Sequence, residues 1–395
     1  MRHSDRQTTA YPWALIVLTV AMSDAAMAQE YTLTDLGRIE GYENTLGIAV
    51  NNLGQVAGYA WTYVEEPPHF PYEIHGALVY SDGVLTDLST PPGTESVAAG
   101  INDAGKVAGS QNGDGVIWEK LGGVWQITTQ LGPLPGGTDP MSSGGGINNQ
   151  GQVAGTAQSV TGYLHAGLWE SGTTLDLGTL ATGDWSKATG INDRGEVVGY
   201  ATSDGISTNH AFLWLPQPVY GMPAGMNDLG TLGNRVYSLA LDVNDTGQVV
   251  GYSANPDRAF LWDNGVMTDL GAVANAESQA NGLNDLGLVV GVSWSLDPRI
   301  TGRGVLWDGG ELYDLNDLVV NAPGWFIREA HDINNAGQIV GEGVSPSGEH
   351  HAVLLNPRQI AVPASSTWGL LVLSVSLLAG SMIALGRCRP STPVA

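Results

Sequence analysis

The stretch Ile191-Asn192-Asp193-Arg194-Gly195-Glu196-Val197-Val198-Gly199 decides the fold, because variants of it occur seven times along the chain. Its pattern is Ile or Val, Asn, Asn or Asp, any residue, Gly, any residue, Val, any residue and Gly. The first asparagines of the seven copies are Asn51, Asn102, Asn148, Asn192, Asn244, Asn284 and Asn334. Their mean spacing is about 47 residues, and repetition at such a period is typical of solenoids and propellers.

Each repeat also contains a run of the type His-Ala-Phe-Leu-Trp and a run ending in Asp-Leu-Gly. Every repeat therefore holds four short β-type runs, named A to D in chain order. In the fourth repeat they cover 186–192, 196–201, 210–214 and 227–232. The Asn, Asp and Gly residues between runs A and B are typical of a tight turn. Four strands in each repeat of about 40–50 residues predict one blade of a β-propeller.

The two ends of the repeat array predict how the ring closes. The last repeat has runs A, B and C, between Asp332 and Leu355, but no Asp-Leu-Gly run after them. An unmatched Asp-Leu-Gly lies at the start of the array, in 31–37. The sequence therefore predicts an all-β, seven-bladed β-propeller over 29–357, in which an N-terminal strand completes the last blade and removes an open sheet edge. An open solenoid or β-helix is the alternative, but such a fold does not need its first strand to pair with its last repeat.

Composition restricts the class of partner and the means of stabilisation. The chain has 395 residues, with 15 Lys and Arg against 39 Asp and Glu, a net charge of -24. So acidic a surface repels phosphate backbones, which excludes nucleic acid as a partner. Hydrophobic residues make up 43% of the chain, enough for a large core. The one cysteine, Cys388, excludes an intrachain disulfide.

The first 28 residues have the three parts of a secretory signal peptide. Arg2 and Arg6 form a basic start, and 13–22 form a short apolar run. Ala26 and Ala28 then provide the small residues that a signal peptidase needs, which predicts cleavage after Ala28. The apolar run is too short to favour a membrane span.

The C-terminal end predicts a membrane anchor. After a linker over 358–367, an apolar transmembrane or sorting helix is expected over 368–386, long enough to cross a bilayer. A basic tail over 387–395, with Arg387 and Arg389, is expected on the cytoplasmic side.

This end resembles the C-terminal sorting signals of bacterial exosortase-type (PEP-CTERM-like) systems. The resemblance rests on the tripartite layout and on Val362, Pro363, Ser366, Trp368 and Gly369, but Pro363 is followed by Ala364 rather than by Glu-Pro. It implies a sorting enzyme as a partner. Whether the helix is cleaved or stays in the membrane is left open.

The literal motif His210-Ala211-Phe212 makes the repeat array resemble the bacterial extracellular family named after its His-Ala-Phe (HAF) repeats. The resemblance covers about 31–357. It implies export and a repeat architecture, and it implies no activity and no set of functional residues.

No catalytic constellation is recognisable in the sequence. His75, His165, His210 and His351 begin run C in four repeats, and we expect them to bond across strands rather than to bind a metal. The repeated tryptophans of run C are expected to pack between blades. The Asn-Asp turns offer oxygen ligands but match no established calcium loop. We therefore expect no cofactor, with calcium as the open alternative.

Ligand binding is predicted on the connections whose length varies, between runs B and C and between runs D and A. Aromatic residues on variable loops of a rigid scaffold are typical of a binding surface. The candidates are Trp61, Tyr63, Phe70, Tyr72, Trp294 and Trp325. The competing interpretation is that these aromatic residues only pack the loops onto the propeller.

The sequence thus predicts an exported protein at the cell surface or tethered to the membrane, acting as a non-catalytic binding or surface-matrix module. Its expected ligand is an extracellular polysaccharide or a surface protein. Two alternatives stay open: a propeller hydrolase or lyase acting on extracellular polysaccharide, which needs a suitable pair of carboxylates, and a purely structural envelope protein.

Overall fold

The computed structural model describes residues 29–64, 72–89, 91–139, 143–181, 183–203, 208–254, 256–273, 276–294 and 302–358. They form seven antiparallel sheets of four strands each. Each sheet packs against the next one in the chain, and the last packs against the first. The prediction of a seven-bladed β-propeller is confirmed.

The strands of blades 1 to 4 follow the A-to-D order in each repeat. They are β2 (Asn44–Val50), β3 (Val56–Val64), β4 (Tyr72–Ser81) and β5 (Val84–Asp87); β6 (Ser96–Ile101), β7 (Val107–Gln111), β8 (Asp114–Leu121) and β9 (Val124–Gln130); β10 (Ser143–Ile147), β11 (Val153–Gln158), β12 (Leu164–Glu170) and β13 (Thr173–Gly178); and β14 (Ser186–Ile191), β15 (Val197–Thr202), β16 (Asn209–Leu215) and β17 (Gly225–Asp228).

The remaining blades include one strand from the start of the chain and one short helix. Blades 5 and 6 consist of β18 (Tyr237–Val243), β19 (Val249–Ala254), β20 (Arg258–Asp263) and β21 (Val266–Asp269), and of β22 (Glu277–Leu283), β23 (Val289–Trp294), β24 (Arg303–Asp308) and β25 (Glu311–Asp314). Blade 7 consists of β26 (Phe326–Ile333), β27 (Ile339–Val344), β28 (His350–Pro357) and β1 (Tyr31–Asp35), and α1 (Leu315–Leu318) precedes it.

The N-terminal strand closes blade 7, as predicted. The sheet order is β1-β28-β27-β26, with Tyr31 opposite Pro357 and Asp35 opposite Val353. Tyr31 is buried in the core of this blade together with Leu315 and Leu355. The apolar packing of β1 therefore adds to its hydrogen bonds in holding the ring closed.

The repeated asparagines form a closed ring of hydrogen bonds around the axis. Each is buried and donates its side-chain Nδ2 to the main-chain carbonyl of the equivalent asparagine in the next blade, over 2.8–3.0 Å. The side-chain Oδ1 accepts main-chain N–H groups of its own turn, as Asn148 does from Gln152. The sequence predicted only the turn, whereas the same side chain also joins neighbouring blades.

The residue after each of these asparagines forms a second ring. Its main-chain N–H donates to the side-chain Oδ1 of the equivalent residue in the next blade over 2.7–3.0 Å. The seven residues of this ring are Asn52, Asp103, Asn149, Asp193, Asp245, Asp285 and Asn335. Only Asn and Asp offer an oxygen at this reach, which explains why the position is restricted to them.

The tryptophans of run C lie between blades, as predicted. Trp118, Trp169, Trp262 and Trp307 are buried, and Trp214 is half-buried against the core shared with its neighbours.

The predictions for the two chain ends lie outside the described residues. They include the signal residues Ala26 and Ala28. They also include the sorting and tail residues, which are Val362, Pro363, Ser366, Trp368, Gly369, Arg387 and Arg389. Within the described ranges, no helix is both long and apolar enough to cross a membrane.

Candidate functional site

The propeller has two faces of different character. The tight-turn face carries the A–B and C–D turns and both hydrogen-bonded rings. The loop face carries the B–C and D–A connections. One C–D connection is long, since β16 ends at Leu215 and β17 begins at Gly225.

The β3–β4 hairpin carries three of the six predicted binding residues but divides them between its two sides. Trp61 lies directly opposite His75, and Tyr63 lies opposite Glu73. Because side chains alternate along a strand, Trp61 and Tyr63 share one side, and Tyr72 lies on the other. Tyr63 is 57% exposed and Tyr72 is 45% exposed, so both side chains are available to a ligand. Phe70 lies outside the described residues.

The other two predicted aromatic residues belong to different parts of the ring. Trp294 ends β23 in blade 6, and a side chain at Gly302 would lie only 3.1 Å from its indole Nε1. Trp325 packs against the core of blade 7, with its ring 5.6 Å from that of His351. The structure therefore brings Trp61 and Tyr63 together on one hairpin and leaves Trp294 and Trp325 in other blades.

Trp61 belongs to a cluster of charged and aromatic residues between blades 1 and 7, which we call the seam cluster: Tyr59, Trp61, Arg328, Glu342 and His350. The ring of Trp61 lies 5.8 Å from that of Tyr59 and 6.4 Å from that of His350. The Nδ1 atom of His350 lies 2.5 Å from the Glu342 carboxylate, and the Arg328 guanidinium lies 3.5 Å from the same oxygen.

The seam cluster combines a buried carboxylate with accessible partners. The Glu342 side chain is only 9% exposed, whereas His350 is 30% and Arg328 is 40% exposed. Burial raises the pKa of the Tyr59 hydroxyl, and the nearby carboxylates of Glu73 and Glu342 raise it further. The cluster therefore offers hydrogen-bond donors, acceptors and aromatic surface at one place on the loop face.

Glu342 was not among the residues predicted from the sequence. It occupies the eighth position after the repeated asparagine, which in the other blades is Tyr59, Ser110, Thr156, Tyr200, Tyr252 or Val292. A charged residue replaces neutral ones only in blade 7. This departure from the repeat is the feature of the sequence that could have identified Glu342.

A second feature is a cavity of ≈ 390 Å³ on the propeller axis, which we call the axial cavity. Its wall from blades 1 to 3 consists of Ala, Gly and Ile residues, such as Ile48 and Ala99. The polar side chains of its wall come from blades 4 to 7. They are Lys187, Thr189, Asp242, Asn281, His331 and Asp332.

Asp242 and Asp332 occupy a β-bulge in strand A where the other five blades have Ala or Gly. Each carboxylate accepts one main-chain N–H from its own blade and one from the next. Asp242 bonds Val243 and Leu283. Asp332 bonds Ile333 and Val50. Both therefore connect blades as well as facing the cavity.

Burial raises the pKa of both carboxyls above the ordinary value. The pKa of Asp242 rises to about 6 and that of Asp332 to about 7, because loss of hydration outweighs the two N–H bonds that favour the charged form. The negative charge of Asp242 raises the pKa of Asp332 further. Among the described residues, no ion pair reaches either carboxylate.

The repeated histidines bond across strands, as predicted. His165 lies 2.9 Å from Asp176, His210 lies 2.9 Å from Asp228, and His351 lies 2.8 Å from Asp35 of the closing strand. The equivalent pairs in blades 5 and 6 use arginine, at Arg258 and Arg303. The histidine of the His-Ala-Phe run therefore pairs with the aspartate of the Asp-Leu-Gly run.

His75 is an exception, and its predicted equivalence to the other histidines is wrong. Strand register places Gly76 at the equivalent position and His75 one residue earlier, on the other side of the sheet. A side chain at Gly76 would collide with the Tyr42 hydroxyl, which explains the glycine. His75 contacts Glu95 at 2.8 Å and the ring of Tyr59 instead. Among the described residues, no group of three or more His, Cys, Asp and Glu is arranged to hold a metal ion.

Comparison with known proteins shows similarity of fold alone. No protein-family model and no curated protein matches the chain. The β-propeller domain of the Trilobed protease from Pyrococcus furiosus aligns at 10% identity with a TM-score of 0.48, over 86% of this chain and 98% of that one.

Two other solved structures align with lower scores. TolB from Acinetobacter baumannii aligns at 14% identity and a TM-score of 0.39, over 77% of this chain and 64% of that one. Trypanosoma rangeli sialidase in complex with sialic acid aligns at 13% identity with a TM-score of 0.35, over 92% of this chain and 62% of that one. The chain thus spans less than two thirds of the length of either protein, and none of their activities is transferred to it.

Proposed function

We propose that the protein is an exported, non-catalytic binding module whose loop face binds extracellular polysaccharide through the seam cluster. The observation that carries this proposal is the position of Trp61 beside a buried carboxylate, an imidazole and a guanidinium. Sugar rings present apolar C–H faces that pack on aromatic rings, and their hydroxyls bond to carboxylates and cationic groups. Tyr63 extends the same aromatic surface along β3.

Charge restricts the kind of polysaccharide. A net charge of -24 produces a negative potential around the whole protein. An acidic polysaccharide would be repelled, so we expect the ligand to be neutral or cationic.

The two ends of the described part of the chain lie side by side at the tight-turn face. The main-chain N–H of Arg358 bonds the carbonyl of Glu30 over 2.7 Å, and their side chains pair at 2.6 Å. Strand β28 runs toward the tight-turn face, since Pro357 lies next to Gly337 of an A–B turn. The described residues therefore end at the tight-turn face, and the membrane anchor that we propose from the sequence at 368–386 follows them in the chain.

The hydrolase or lyase alternative draws on Asp242 and Asp332, which meet in the axial cavity and have raised pKa values. Their geometry favours a structural role, because all four of their oxygens already accept main-chain N–H groups. The purely structural alternative does not account for the charged Glu342 at a position that is neutral in the other six blades. We therefore retain the non-catalytic binding module.

The test measures binding of the full chain to a panel of neutral, cationic and acidic polysaccharides. Trp61→Ala is expected to weaken binding at least about tenfold, as expected for an anchoring aromatic residue. Trp185→Ala is the matched control. The ring of Trp185 lies 5.3 Å from that of Tyr200 in blade 4, and the ring of Trp61 lies 5.8 Å from that of Tyr59, but the position equivalent to Glu342 in blade 4 is Tyr200 itself and not a glutamate.

Equal losses in both variants, or unchanged binding in Trp61→Ala, would contradict the proposal. Release of reducing ends from a bound polysaccharide would instead support the hydrolase. Binding only to a purified surface protein would replace the polysaccharide as the ligand.

A further inference from the structure

The axial cavity breaks the sevenfold repeat on one side only. At the bulge position five blades have Ala or Gly, so the repeat itself does not require a carboxylate there. Blades 5 and 7 nevertheless place Asp242 and Asp332 at this position, facing a common space. Because both carboxylates also face the cavity, this departure from repetition points to a ligand in addition to the bonds that they make between blades.

The two carboxylates lack a cationic partner within the described part of the chain. An uncompensated charge of this kind is unfavourable unless it is neutralised by a proton or by a bound cation. The other polar groups of the wall are neutral donors and acceptors at Thr189 and Asn281 and the imidazole of His331, while Lys187 lies toward the loop-face end of β14. A ligand here needs a cationic group and groups able to form further hydrogen bonds.

The wall opposite the two carboxylates is apolar. Blades 1 to 3 present Ile48, Ala49, Ala99 and Gly100, whose short or aliphatic side chains form a smooth apolar surface. The volume of ≈ 390 Å³ lies at the lower end of the range of about 300–1,000 Å³ that small-molecule sites occupy. It suits a single small ring with one apolar face and one polar edge, and it is too small for an internal stretch of polymer.

Polar residues connect this cavity to the seam cluster. Asn281 of the cavity wall donates its side-chain Nδ2 to the Glu329 carboxylate over 3.0 Å. Glu329 lies directly opposite Glu342 in the register of β26 and β27. Polar side chains are therefore continuous from the cavity wall to the seam cluster.

We propose that the axial cavity binds the terminal unit of the polysaccharide, and that this unit is a sugar ring with a free ammonium group held between Asp242 and Asp332. This proposal rests on the proposed function, since it assigns the end of the same ligand. The apolar face of the ring lies on the wall of blades 1 to 3. Its hydroxyls face Thr189 and Asn281.

The test uses calorimetric titration of the full chain with glucosamine, glucose and N-acetylglucosamine near pH 7, where glucosamine carries its ammonium group and binding of that cation favours the charged carboxylates. Glucosamine is expected to bind at least about tenfold more tightly than the two uncharged sugars, because only it supplies the cation. Asp332→Ala and Asp242→Ala should each remove this preference. Both place at this position the alanine that blade 1 has, Ala49, so a folded protein is expected. Its melting temperature should be lower than that of the unmodified chain, because each substitution removes two bonds from main-chain N–H groups.

Asp184→Ala is the control, because Asp184 is an exposed aspartate of a D–A connection outside the cavity wall. Equal affinity for glucosamine and glucose, or a preference that survives both cavity substitutions, would overturn the proposal. So would binding of Ca²⁺ alone that depends on Asp242 and Asp332 while glucosamine fails to bind.

Different results would contradict the assignment of the axial cavity and the proposed function. If polymer binds through Trp61 but glucosamine does not bind, only the axial assignment is wrong. If glucosamine binds with the expected preference while Trp61→Ala leaves polymer binding unchanged, the assignment of the axial cavity stands. The assignment of polysaccharide binding to the seam cluster is then wrong.

Discussion

The side-chain Nδ2 of Asn334 donates to the main-chain carbonyl of Asn51 over 2.8 Å, although 283 residues separate them in the chain. This bond joins the last blade to the first and completes a ring in which every blade uses the same side chain in the same way. Closure therefore has two independent parts: the strand exchange at the outer edge of blade 7, and the asparagine ring near the axis.

Loss of one ring asparagine should destabilise the whole propeller. Asn148→Ala removes the bond from Nδ2 to the carbonyl of Asn192, which then keeps only the N–H of Gly195, and it leaves the main-chain N–H of Gln152 without its bond. Each buried group left unsatisfied costs about 1–3 kcal/mol, so the free energy of unfolding should fall by about that amount or more. Chemical denaturation measures it. Gln150→Ala, at an exposed position of the same turn, is the control, and an equal effect of both substitutions would show that the ring adds nothing.

Removing the buried side chain of the closing strand should also reduce stability. Tyr31 is 1% exposed, and Tyr31→Ala should lower the free energy of unfolding by about 3–5 kcal/mol, as for other buried aromatic residues. Tyr163→Ala, where the tyrosine is 52% exposed, should change it by less than about 0.5 kcal/mol. If the melting temperatures of both variants match that of the unmodified protein, closure by β1 does not stabilise the ring.

The histidines of the His-Ala-Phe runs should be replaceable by arginine. His210 pairs with Asp228, and blades 5 and 6 make the equivalent pair with Arg258 and Arg303. His210→Arg should therefore keep the stability of the protein, while His210→Ala should lower it by up to about 1 kcal/mol. Thermal unfolding of the two variants provides the comparison. A loss of ligand binding in His210→Arg, with stability retained, would reveal a functional role that the pair does not indicate.

Stability should depend on pH through the axial carboxyls. Their pKa values in the folded state, about 6 for Asp242 and about 7 for Asp332, exceed the ordinary value of 3.8. The folded protein therefore holds protons that the unfolded chain has released, so these groups favour folding at low pH. Their contribution is lost as pH rises from about 4 to about 7.

Asp332→Ala tests this dependence without interference from the other acidic residues. Relative to this variant, the unmodified protein should lose at least about 1 kcal/mol of unfolding free energy between pH 4 and pH 8. Denaturation curves at several pH values provide the measurement. A difference between the two proteins that does not change with pH would mean that Asp332 titrates normally.

Much of the architecture was predictable because it follows from local patterns repeated seven times. The Asn-Asp-x-Gly turns marked each A–B hairpin, and the unmatched Asp-Leu-Gly at 31–37 located the closing strand opposite Leu355. The aspartate of that run also pairs with His351, as its copies pair with other histidines. Where the repeat was locally shifted, as at His75 and Gly76, the sequence interpretation failed, because a displacement of one residue reverses the side of a strand.

The composition of the candidate site was much less predictable. Trp61 and Tyr63 were identified from the sequence, but Glu342, Arg328 and His350 were not, because even a departure from the repeat such as Glu342 does not show which distant residues it contacts. Their meeting with Trp61 depends on the contact between the last blade and the first. Asp242 and Asp332 likewise meet only because the ring turns their strands toward one axis.

The sequence by itself determined the number of blades, the strands within each blade and the strand that closes the ring, because these depend on turns and on alternating side chains within about 50 residues. Only the tertiary structure decided which departures from the repeat lie together. Closing a chain into a ring places residues of the first and last blades in contact, and no pattern within a single repeat carries information about its distant neighbour.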